Sequence, residues 1–138
     1  MDVCMPDSPS PPDPVIELEL AYDALNEADV LRKQGGDRGA ISRLYYACFH
    51  AAQAVLYDRG FDPQTHGTAI RWFGQEVVVP GDASEAAGSF FNEMYDLRTE
   101  ADYKPPPTAN VEALYVRTEV FIDDMAALLG ADADTGEE

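Results

Sequence analysis

The chain has 138 residues, 46% of them hydrophobic, and a formal net charge of −17 from 26 acids against 9 bases. That length supports one domain with a single core and leaves no room for a second. No apolar run approaches the roughly 18 to 20 residues a membrane span needs, and the N-terminal MDVCMPDSPSPPDP has acids where a signal peptide would be basic, so a soluble, cytoplasmic protein without a membrane partner is expected.

Residues 1–14 hold five prolines with Asp and Ser, too few apolar groups to order them, and 130–138 is likewise acidic and small. Both are expected to be disordered tails around one folded unit over 15–129. The first helix, about 15–34, places Leu18, Tyr22, Leu25, Ala28 and Leu31 near one face and Glu17, Glu19, Asp23 and Glu27 mostly off it. It should stop at Gly35-Gly36. The second, about 37–59, opens on Asp37 as N-cap and ends at Gly60. Its core stripe is Ile41, Leu44, Tyr45, Cys48, Ala52, Val55 and Leu56, which makes Cys48 a small core residue. A separate stripe collects Arg43, Tyr46, His50, Gln53 and Tyr57, spaced three and four apart, so this helix has two specialised faces.

A third helix is expected over about 65–79, with Ile70, Phe73 and Val77 inward and Val77-Val78-Val79 able to fray to extended structure before Pro80-Gly81. The fourth, about 83–103, turns Phe90, Met94, Leu97 and Ala101 inward and is stopped by Pro105-Pro106-Pro107. Thr108 or Asn110 caps the fifth, whose inward positions are Val111, Leu114, Phe121, Ile122, Met125 and Leu129. No segment alternates at period two for long enough to be a strand. The class is all-α, an antiparallel bundle of four to five helices.

Polar residues inside these apolar helices need a further explanation. His50, flanked by Phe49 and Ala51, reads first as a histidine satisfied by a neighbouring helix. His66, at the start of a helix, is kept neutral by the positive end of the dipole. Arg98 lies four residues before Asp102, close enough for a local ion pair. Cys4 and Cys48 form no CxxC or Cys/His cluster, so no metal is expected.

The segments SRLYYACFHAA (Ser42 to Ala52), Thr65-His66 and RTEADY (Arg98 to Tyr103) resemble the motifs of the small stand-alone prokaryotic members of the HEPN superfamily (higher eukaryotes and prokaryotes nucleotide-binding), S-R-x-Y-Y-A-x-F-H-A-A, T-H and R-x-x-A-D-Y. The resemblance runs from about Val15 to Leu129. It implies a component of a HEPN–nucleotidyltransferase toxin–antitoxin module that binds a nucleotide or RNA phosphate. Arg98 would contact the phosphate, with Asp102, Arg43, His50, Tyr46 and His66 around it, no cofactor, and a small nucleotidyltransferase as partner protein. It also implies a homodimer with the motif helices near a two-fold cleft, in line with a surplus of aromatic residues at Tyr46, Tyr57, Phe91 and Tyr95.

Ribonucleases of that superfamily pair an arginine with a histidine that follows it with four to six residues between, for metal-free attack by the ribose 2′-hydroxyl. After Arg98 the fifth to seventh residues are Tyr103, Lys104 and Pro105, and a tyrosine with pKa near 10 is a poor general base at neutral pH. Arg43 and His50 meet the spacing but stand in a different helix from the family's site. A metal-independent endoribonuclease toxin using Arg98 and Tyr103, or a helical dimerisation module without ligand, are the alternatives.

The charge bears on this reading, because acidity of this degree ordinarily repels a polyanion. Only Lys33 and Lys104 are lysines and the acids are spread along every segment, as in haloarchaeal proteins adapted to a salt-saturated cytoplasm. At an ionic strength of about 1 M the Debye length is only about 3 Å, so local arginines decide whether a phosphate binds.

Overall fold

The structure is a computed structural model that describes residues 12–103 and 109–137, with side chains for 12–101 and 109–129. Its elements are α1 (Pro14–Lys33), α2 (Asp37–Asp58), α3 (His66–Phe73), a π-helical turn (Gly74–Val78), α4 (Glu85–Tyr103) and α5 (Val111–Glu137), with no strand among the described residues. The all-α expectation holds.

Local chemistry sets most boundaries. Asp13 caps α1 by accepting from the backbone N–H groups of Val15 and Ile16, and Pro14 takes the first helical position, where no donor is lost. At the far end Gly36 N–H reaches Leu31 O at 2.8 Å and Gly35 N–H reaches Arg32 O at 3.2 Å, with Gly35 at φ 82°. The same double closure ends α2, where Phe61 N–H bonds Leu56 O and Gly60 N–H bonds Tyr57 O with Gly60 at φ 90°. Asn110 caps α5 through Oδ1 to Ala113 N–H; Thr108 lies outside the described residues.

Some boundaries differ from expectation. Gly36, not Asp37, is the N-cap of α2, and Asp37 is its first residue, where a carboxylate meets the positive helix end. The 65–79 segment is α3 followed by the π turn, closed by Val79 N–H to Gly74 O at 2.9 Å. Val77 is fully buried, which holds the valines helical instead of letting them fray. Tyr22 is 37% exposed and donates its hydroxyl to Asp123 Oδ1 at 2.9 Å instead of entering the core. α5 runs to Glu137 across the stretch expected to be a tail; the side chains there and all of residues 1–11 lie outside the described residues.

Cross-helix contacts give the arrangement. Glu27 meets Arg43 and Glu17 meets His50, so α1 and α2 are antiparallel. Arg38 donates to Ala101 O while Tyr45 packs on Phe91, so α2 and α4 are antiparallel. Glu93 pairs with Arg117 and Phe90 packs on Phe121, which sets α5 against α4 in the same sense. The result is an up-and-down bundle of α1, α2, α4 and α5, with α3 and the π turn in the connection between α2 and α4.

α2 touches each of the others because it is thin: Ala40, Ala47, Ala51, Ala52 and Ala54 are fully buried, so neighbouring backbones approach closely. Leu44, Tyr45, Cys48 and Leu56 are equally buried, and Cys48 Sγ reaches Thr118 Oγ1 on α5, itself bonded to Leu114 O. Phe91, counted with the surplus aromatics, is fully buried against Phe73 and Phe121. Its burial removes it from any dimer surface.

Candidate functional site

The two polar stripes meet at one ring. Tyr46 of α2 has the Arg43 guanidinium 5.0 Å from its centroid and the Arg98 guanidinium of α4 5.6 Å from it. His50 lies 6.4 Å away on the same helix, and His66, the first residue of α3, stands edge-on at 5.9 Å. Arg98 also lies 5.2 Å from the ring of Tyr45. Separations below about 6 Å allow the negative ring face to attract a guanidinium, and this pins two flexible cations to one aromatic platform. Arg43, Tyr46, His50, His66 and Arg98 are thereby gathered from three helices. Asp102 and Tyr103 close α4, and their side chains lie outside the described residues.

Each remaining member of the α2 stripe has its own partner. Arg43, 37% exposed, pairs at the surface with Glu27 at 3.1 Å instead of entering a buried network. His50 is held through Nδ1 by Glu17 Oε1 at 2.8 Å, with side-chain exposures of 25% and 16%. That contact is the neighbouring-helix partner its sequence context implies. Gln53 donates to the Tyr57 hydroxyl one turn on. The hollow that reaches Arg43, Tyr46 and His50, about 350 Å³, is rimmed by Asp23 and Glu27 of α1. An anion entering on that side meets carboxylates first.

His66 is the best-defined group. Its ring stacks on Phe49 at 4.5 Å and on Tyr45 at 5.6 Å, and its Nδ1 lies 2.5 Å from the Tyr45 hydroxyl. Burial lowers its pKa first, and the nearby Arg98 and His50 lower it further, because all three disfavour a second positive charge. Burial raises the Tyr45 pKa, only partly offset by Arg98. The phenol therefore keeps its proton, and in the tautomer in which it donates to Nδ1 the His66 ring proton lies on Nε2. A neutral imidazole with an N–H donor beside two guanidiniums binds an oxyanion without needing to be protonated. The lowered pKa agrees with the neutral state expected at a helix start, though burial comes first among its causes and the Arg98 guanidinium next.

Tyr45 and Glu17 join the site only through the fold. The adjacent tyrosines of R-x-Y-Y were the available signal for Tyr45, since one must face the core and the other the neighbouring stripe. Nothing in the spacing of α1 marks Glu17 from Glu19. Among the described residues no His, Cys, Asp and Glu cluster could hold a metal ion, and no helix is long and apolar enough to cross a membrane.

Comparison with known proteins bears on these residues together. A family model described as HEPN domain matches residues 17–127, which includes all five gathered side chains. A Methanocaldococcus jannaschii protein named "Putative toxin MJ0605" is 33% identical over 108 residues, 77% of this chain and 81% of that protein. A Thermotoga maritima protein named UPF0332 protein is 29% identical over 112 residues, 79% and 85% of the two chains. A second M. jannaschii protein, "Putative toxin MJ0142", is 30% identical over 86 residues, 62% and 58% of the two.

Proposed function

The chain belongs to the HEPN domain family, and we propose that within it this protein binds the phosphate of a nucleotide or RNA at the Arg98–Tyr46–Arg43 platform, as the HEPN half of a toxin–antitoxin pair. One observation carries the reading: two guanidiniums from different helices converge on Tyr46, with His66 edge-on to the same ring. Arginine forks match phosphate oxygens in pairs, and the His66 Nε2–H adds a neutral donor. Relatives that carry the name of toxin support the toxin-like role, and the family's association with nucleotidyltransferases supports a partner of that kind.

Binding of a fluorescent single-stranded RNA, followed by anisotropy in molar KCl, tests the reading. Wild type should bind and Arg98→Ala should lose roughly tenfold or more in affinity, the weight of one charge-assisted bidentate contact. No binding by wild type would overturn it.

Metal-independent RNA cleavage is favoured by a separate observation. Glu17 holds Nδ1 of His50, which leaves Nε2 as a proton acceptor in the manner of a carboxylate-oriented base. That histidine would supply the group missing after Arg98. Cleavage of single-stranded RNA in chelator, abolished by His50→Ala at unchanged melting temperature, would establish this activity over simple binding.

A further inference from the structure

A groove of about 500 Å³ runs between α3 with its π turn and the facing side of α4, lined by Gly67, Arg71, Gly74, Gln75, Asn92, Tyr95 and Asp96. It continues as a second hollow of about 330 Å³ that shares Ile70, Gly74 and Asn92 and reaches Gly88. Glycine keeps the wall low, since a Cβ built at Gly67 or Gly74 meets nothing within 4 Å. The π turn begins at Gly74; such turns widen a helix locally and recur at functional sites.

The inner end of this groove adjoins the phosphate platform. Tyr95 lies 5.8 Å from the ring of Tyr45, whose hydroxyl holds His66, and Gly67 directly follows His66 in the chain. Arg98, one turn beyond Tyr95 on α4, lies over the same Tyr45 ring. A molecule whose phosphate rests on Arg98 and His66 would therefore have Tyr95 and the groove beside it.

Its chemistry differs from that of the platform. Arg71 and Asp96 balance each other beside Tyr95, and Glu85 puts one further carboxylate at the far end of the second hollow. Gln75 and Asn92 offer side-chain amides that both donate and accept; the Asn92 Nδ2 contact to Gly88 O, at 3.4 Å, is long enough for a ligand to displace. An aromatic face beside amides suits a flat, neutral, hydrogen-bonding group. We propose that this groove is a nucleobase subsite: an unpaired base stacks on Tyr95 while Asn92 and Gln75 read its edge. The inference rests on the phosphate-binding reading for its orientation, and a free mononucleotide and single-stranded RNA share the chemistry.

Calorimetric titration with adenosine, ribose 5-phosphate, AMP and an adenylate tetramer tests it. Stacking of one base contributes about tenfold or more in affinity, so AMP should bind wild type at least tenfold more tightly than ribose 5-phosphate. Tyr95→Leu and Asn92→Ala should each shrink that ratio and leave ribose 5-phosphate binding unchanged. Asn92 is exposed, so its variant folds even if Tyr95→Leu does not. A tetramer that binds more tightly than AMP identifies RNA as the occupant, and equal affinities identify the mononucleotide. If ribose 5-phosphate fails to bind while adenosine binds and Tyr95→Leu loses it, the phosphate reading falls and the groove stands. If ribose 5-phosphate binds and AMP is no tighter, or if both variants keep the full ratio, the nucleobase subsite is overturned.

Discussion

The hydroxyl of Tyr45, a fully buried residue of α2, lies 2.5 Å from Nδ1 of His66 at the start of α3. One proton thus ties the core of the bundle to the group that faces the candidate ligand. Tyr45→Phe removes the hydroxyl partner and leaves a part-buried nitrogen unsatisfied, at a cost of about 1–3 kcal/mol. Urea unfolding should show that loss, and ligand affinity should fall as well because the ring tautomer is no longer fixed. An unchanged midpoint and affinity would mean that the bond does neither.

His66 should also shape the acid limb of stability. Its folded pKa is lowered from the ordinary 6.5, by burial first and then by Arg98 and His50. The folded state thus takes up its proton less readily than the unfolded chain, so stability is held above about pH 6.5 and is lost as pH falls below it. Thermal melts of wild type and His66→Gln between pH 8 and 5 should converge as pH falls. A constant difference across that range would show that His66 titrates alike in both states.

His50 and Arg98 should separate by assay. The Glu17 contact makes His50 part of the α1–α2 packing, so His50→Ala and Glu17→Gln should each destabilise the fold by about 1–2 kcal/mol, and the double variant by less than their sum. Arg98→Ala should act mainly on ligand binding. Additive losses at Glu17 and His50 would dissolve the pair.

Salt and association form the last test. With a net charge of −17, raising KCl from about 0.1 to 3 M shortens the Debye length from about 10 Å to below 3 Å. Self-repulsion fades, and the melting temperature should rise. Light scattering in that medium should give a homodimer, the state that the family resemblance implies; a monomer at micromolar concentration would count against it.

Periodicity and capping chemistry were enough to determine the five helices, most of their ends and most of their buried faces. These are decided by residues within a turn of one another: Gly35 and Gly60 close α1 and α2 by adopting a φ other residues resist, whereas Asp13 and Pro14, expected in a disordered tail, in fact open α1. The motif residues also marked Arg43, Tyr46, His50, His66 and Arg98 as belonging together. What partners each of them depends on helices far apart in sequence, and so on packing. Only the tertiary structure turned Glu17 onto His50, left Arg43 half-exposed against Glu27, buried Phe91, and tied His66 to the Tyr45 hydroxyl. The groove beside Tyr95 is of the same kind, because an empty space between two helices exists only once their crossing is set.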